Sequence, residues 1–187
     1  MPTVREALLE AASTALTERA WNEVRMVEVA AAAGVSRQTL YNEFGGKDGL
    51  GRALVRREAE HYLAGLDEVL ARAARAGGDA GDRMAAAAGW TLGRARRSPL
   101  VRAALAGDQG PRSRLPPLPD LADALRARVT AGLAAAAPRV PAAELAWAGD
   151  TAVRLTVSYV VAPARSDEEA CARIARMVRS LLVRHRH

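Results

Sequence analysis

The chain has 187 residues, half of them apolar, with a single cysteine and a formal net charge of +6. That is enough apolar material for a buried core, while the lone Cys171 excludes an intrachain disulfide and a four-cysteine zinc site. No apolar run approaches the roughly 20 residues that cross a bilayer, and the N-terminus lacks a signal pattern, so a cytoplasmic setting without membrane contact is expected.

The basic excess does not by itself argue for nucleic acid. Lys47 is the only lysine, and the joint rise of arginine and alanine reads first as coding bias. Residues 1–60 hold eight basic and nine acidic side chains, so a DNA-binding function there depends on charges being sorted onto one face. His61, His185 and His187 are scattered or terminal, and the His-x-His end reads as a solvated tail. No metal or cofactor is expected.

Helical periodicity runs through the chain and strand alternation is absent, which predicts an all-α fold. Thr3 and Glu6 form a capping box ahead of a first helix to about residue 18. Trp21 plugs the following connection. Met26 to Ala33 reads as a short second helix stopped by Gly34, a residue suited to a positive-φ C-cap. Ser36 caps a third helix, and Val35 staples onto Leu40. Gly45-Gly46 ends that helix after Phe44, and Lys47-Asp48 opens a long fourth one to about Arg75.

Further helices are predicted over about 82–97, 99–106 and 120–136, separated by Ser98-Pro99 and by a proline-rich loop from Pro111 to Pro119. Pro141 starts a helix to about Val161 that is apolar on most sides. Ser166 and Glu169 form a second capping box ahead of a last helix.

Two short helices joined by a Gly-x-Ser turn are the arrangement in which the second enters a major groove while the first braces it. Leu40 and Phe44 share one face of the helix after Ser36; Arg37, Gln38, Tyr41 and Asn42 lie elsewhere on it. Arg37 suits guanine, Gln38 adenine, and the Thr39 methyl a thymine methyl. Ser36, Tyr41 and Lys47 suit phosphate contacts. Glu6, Glu10 and Glu18 fall on the first helix, away from this face; Glu43 sits closer and counts against it.

The stretch Val24 to Lys47, with its Ala-Gly-Val-Ser turn, Thr-Leu-Tyr core, closing Phe44 and following lysine, resembles the DNA-binding domain of the tetracycline-repressor (TetR/AcrR) family over about residues 3–55. The resemblance implies a helix-turn-helix domain over 1–46, with the motif at about 25–44, and a ligand-binding and dimerisation domain over 47–187. It also implies about nine helices, a homodimer with a four-helix interface, and a repressor released from a palindromic operator by an unknown small molecule. Arg25 stands where members usually carry Ser or Thr as a cap, which leaves it available to a phosphate.

For the effector pocket, Met84, Trp90, Leu105, Leu121, Leu125, Trp147 and Tyr159 are the candidate lining, with plain core packing as the competing reading. For the dimer interface the candidates are Ala148, Gly149 and Ala152, whose small side chains admit a close helix, with Ile174, Val178 and Leu181. No catalytic triad, metal cluster or phosphate loop is apparent, so an enzyme is not expected. The alternative is a helical ligand- or protein-interaction module without sequence-specific DNA binding.

Overall fold

In the computed structural model the described residues, 2–106 and 121–183, form nine α-helices and one 3₁₀ turn, with no strand among them. The helices are α1 Val4–Glu18, α2 Met26–Ala32, α3 Arg37–Phe44, α4 Lys47–Arg75, α5 Ala80–Arg97, α6 Pro99–Ala106, α7 Leu121–Ala136, α8 Ala142–Val161 and α9 Asp167–Val183; the 3₁₀ turn is Trp21–Glu23. None is long and apolar enough to cross a membrane. The proline-rich segment 111–119 and the histidines at 185 and 187 lie outside the described residues.

The boundaries follow from local chemistry. Glu6 N donates to Thr3 Oγ1 at 3.2 Å while Thr3 N donates to Glu6 Oε2 at 2.7 Å, so the capping box at α1 is complete. That pairing also holds the Glu6 carboxyl below its ordinary pKa, chiefly through the Thr3 backbone bond. Gly34 adopts φ 70°, and Val35 N reaches Ala30 O at 3.0 Å, closing α2 with a left-handed turn. At α9 only half of the expected box is made: Glu169 N donates to Ser166 Oγ, whereas the Glu169 carboxylate pairs with Arg173.

Two compact units divide inside α4, after Glu60. The first comprises α1 to α3, the start of α4, and α6. Its core joins Leu8, Trp21, Val29, Leu40, Leu54 and Leu100. The first two turns of α4 belong here because Leu50 and Leu54 are fully buried in this core.

The second unit comprises the rest of α4, α5 and α7 to α9. Within it α5 packs on α9, α7 on α8, and α8 on α9. Tyr62 is completely buried, its hydroxyl 2.8 Å from Thr91 Oγ1, and burial pushes its phenol up to about 12. One turn further along α4, Gly65 leaves space for the Trp90 ring: a Cβ there would lie 2.1 Å from the indole. Trp90 Nε1 donates to Tyr62 O at 2.9 Å, which fixes the ring in that space.

Tertiary packing revises both candidate sets for this unit. Ala148, Gly149, Ala152, Ile174 and Val178 are buried within the single chain, so they serve its own helix contacts and expose nothing to a partner. A Cβ on Gly149 would meet Thr130 Oγ1 at 2.9 Å, so the close approach this glycine permits is to α7. Of the six, only Leu181 keeps part of its surface open.

Among the candidate pocket residues, Met84, Leu121 and Leu125 are buried, and Trp90 and Tyr159 half-buried. Trp147 is 55% exposed and turned to solvent, so it lines no interior cavity. Leu105 is buried in the other unit, on α6. A void inside the bundle, bounded by Met84, Thr91, Leu125, Val129, Ala152 and Thr156, measures about 10 Å³. That is the volume of at most one water.

Candidate nucleic-acid interface

The eight residues of α3 are held at both ends. Ser36 Oγ accepts from Thr39 N at 3.0 Å, the N-cap expected from sequence, and lies 2.8 Å from Thr39 Oγ1. At the other end Gly45 takes φ 71° and donates to Tyr41 O at 2.8 Å. Leu40 and Phe44 are buried, so the rotation of the helix about its axis is set by the core.

That rotation leaves Arg37, Gln38 and Asn42 exposed and Thr39 and Tyr41 half-buried. The outward side chains pair one turn apart. Gln38 Nε2 donates to Asn42 Oδ1 at 2.9 Å. Arg37 Nη2 donates to Tyr41 OH at 3.3 Å, and the guanidinium lies 5.2 Å from the Tyr41 ring centroid. Each pair narrows the rotamers of the donor that a base edge would meet, which lowers the ordering cost of a contact. The opposing charge on this helix is also offset: Glu43 pairs with Arg5 at 3.8 Å.

Arg25 is exposed at the N-cap of α2 and makes no side-chain cap, so the weakened cap read from sequence is present. Lys47 is different. Its ammonium donates to Val24 O at 2.6 Å and Asn22 O at 3.0 Å, and lies 5.5 Å from the Trp21 ring centroid. Burial lowers its pKa from the ordinary lysine value. With two of its three protons on backbone carbonyls, Lys47 is a tie across the 3₁₀ turn, a role that sequence spacing did not suggest because the acceptors lie 23 and 25 positions upstream.

Sequence comparison matches this geometry to known proteins. Residues 8–54 match the pattern described as bacterial regulatory proteins, tetR family, and residues 79–180 that of the bacterial tetracyclin repressor C-terminal domain. The chain is 28% identical to the HTH-type transcriptional regulator AlkX of Mycobacterium tuberculosis, over 97% of this chain and 86% of that protein. It is also similar to the TetR family repressor AlkX from Dietzia sp. strain DQ12-45-1b, implicated in biodegradation of n-alkanes: TM-score 0.58, 25% identity, covering 96% of this chain and 97% of the other. A tetR-family regulator from Streptomyces coelicolor shares the fold at TM-score 0.69 and 18% identity, covering 99% of this chain and 83% of that one.

Proposed function

The chain belongs to the tetR family of bacterial regulatory proteins, is a DNA-binding transcriptional regulator and not an enzyme, and from that premise we propose that it is a cytoplasmic homodimeric repressor released from a near-palindromic operator by a small apolar effector. The observation that carries the reading is the outward face of α3, with Arg37 and Gln38 exposed on a helix whose opposite face is locked into the core. Arg37 and Gln38 read base edges, with Thr39 and Asn42 beside them; Arg25, Ser36 and Tyr41 hold the backbone.

The dimer face we assign is the outer stripe of α8, where Trp147, Thr151, Arg154, Ser158 and Val161 recur at alternating steps of four and three. Trp147 and Val161 are 55% and 66% exposed, the largest apolar side chains left open on that helix. On α9, Met177 and Leu181 are half-buried one turn apart and extend the apolar surface. A two-fold contact between two such hairpins gives a four-helix interface.

The bundle interior supports an apolar effector. Around the 10 Å³ void the polar groups are Thr91 and Thr156, and both hydroxyls donate to carbonyls of their own helices at 2.8 Å. They offer a ligand little beyond methyl groups. The similarity to a repressor implicated in n-alkane biodegradation points the same way. An effector larger than one water enters this void by moving the side chains around it. It therefore selects a different packing of the bundle, and α4 continues from that unit into the DNA-binding one. An effector that prefers a packing with the two recognition helices out of register with successive major grooves lowers DNA affinity by linkage.

The test has two stages. Selection from a random duplex pool, followed by anisotropy titration, should yield a near-palindrome bound more tightly than unrelated duplexes and more weakly as salt rises. Linear hydrocarbons and their oxidised derivatives are then screened by thermal shift and by release of that duplex. A chain that enriches no sequence refutes the regulator reading; release by none of these compounds refutes the apolar effector.

A further inference from the structure

On the first unit a groove of about 420 Å³ runs beside the last turn of α3, walled by Arg5 from α1 and by Arg52, Arg56 and Arg57 from α4, with Phe44 at its floor. Two carboxylates, Glu43 and Glu60, share the lining. Arg5 is seated against the recognition helix, its guanidinium 4.7 Å from the Phe44 ring centroid and 3.8 Å from Glu43. Arg57 is turned inward, donating to Leu9 O at 3.0 Å and pairing with Glu10 at 3.4 Å.

Arg52 and Arg56 stand apart from this. Both are exposed, one turn apart on the outer face of α4, and neither has a hydrogen-bond or ion-pair partner among the described residues. Asp48 and Glu60 lie one turn to either side, yet neither is within ion-pair distance. In a unit whose acids outnumber its bases up to residue 60, two adjacent unpaired guanidiniums are the local charge excess, and they border the end of the recognition helix.

We propose that Arg52 and Arg56 form a second DNA contact, a clamp on the phosphate strand that flanks the major groove occupied by α3. The inference rests on the regulator reading and adds residues to it. A helix in a groove about 12 Å wide has a phosphate strand on each side, so cationic side chains beside its last turn face one of them. The guanidinium fork matches phosphate oxygens bidentately. Phosphates carry no sequence information, so this clamp raises affinity for every duplex alike and sets register on the DNA.

The experiment compares wild type, R52A/R56A and the charge-retaining R52K/R56K on the selected operator and on an unrelated duplex, by anisotropy across a salt series. Both arginines are exposed, so thermal melts of the three proteins should coincide. The alanine pair should lose affinity for both duplexes by the same factor, with the slope of log K against log salt shallower by about 2; the lysine pair should recover the slope. An unchanged slope in the alanine pair, with wild type still selecting a sequence, overturns the clamp and leaves the regulator reading intact. Loss confined to the operator overturns it too, because the arginines would then be reading bases. A wild type that selects no sequence removes both.

Discussion

Lys47 and Val24 are joined by a 2.6 Å bond from the lysine ammonium to the backbone carbonyl just ahead of α2. Together with the bond to Asn22 O it ties the first turn of α4 to the connection that orients the helix-turn-helix. A lysine in this place therefore has a structural use before it has an electrostatic one.

Replacing Lys47 with alanine leaves two backbone acceptors without their charged donor. Hydrogen bonds to charged groups contribute about 1.5–3 kcal/mol, so K47A should lower the unfolding midpoint and weaken binding to all duplexes together. Circular-dichroism melts read the first effect, anisotropy the second. A K47A protein that melts with wild type, yet binds DNA less well, would return Lys47 to a phosphate contact alone.

Arg37 and Gln38 should behave differently from Arg25. Each good bidentate base contact is worth about 1–3 kcal/mol of discrimination, so R37A and Q38A should relax preference at particular operator positions. R25A should weaken every sequence equally. Selection profiles of the three variants decide the matter; uniform weakening by all of them would count against the division of roles.

Gly65 should tolerate no side chain. With a Cβ placed 2.1 Å from the Trp90 ring and that ring held by Tyr62 O, G65A should destabilise the second unit by about 1–3 kcal/mol, the usual cost of overpacking. Removing the ring relieves the clash, so the two changes should be non-additive, with G65A/W90A no less stable than W90A alone in urea titrations. A double variant less stable than both singles would mean the contact is not the source of the strain.

Asp79 gives the stability an acid limb. Hydrogen bonding from Arg179 at 2.8 Å holds its carboxyl at about 2, below the ordinary 3.8. A carboxyl whose folded pKa is depressed stabilises the fold above its unfolded value and loses that contribution as pH falls through the folded one. Urea midpoints should therefore drop between about pH 4 and pH 2, and drop less in D79N. Equal slopes in the two proteins would remove Asp79 from the account.

Trp147→Glu should convert a dimer to a monomer in sedimentation, because it replaces an exposed apolar side chain of the outer α8 stripe with a charge without touching the core. Ala148→Glu should instead unfold the subunit, since Ala148 is fully buried. A W147E protein that sediments as wild type would move the interface elsewhere.

What could be read from the sequence is what depends on neighbours along the chain. The Thr3 and Ser36 caps, the left-handed Gly34 and Gly45, the burial of Leu40 and Phe44, and the limits of α3 and α4 each rest on interactions within about five residues. Helix periodicity and capping are local, so they are legible in order. One local signal was missed: the backbone N–H groups of Asp79 and Asp82 each donate to the other's carboxylate, a capping pair that starts α5 at Ala80, ahead of the expected residue 82.

Tertiary structure decided which apolar surface faces inward. Ala148, Gly149, Ala152, Ile174 and Val178 are equally fit for a partner's helix or for their own bundle, because burial has no preference between covers of the same shape. Only the packing of α7 on α8 and of α5 and α8 on α9 shows that the cover is internal. The same holds for Lys47, whose ammonium was free to point anywhere until folding brought two carbonyls from more than twenty residues away within its reach.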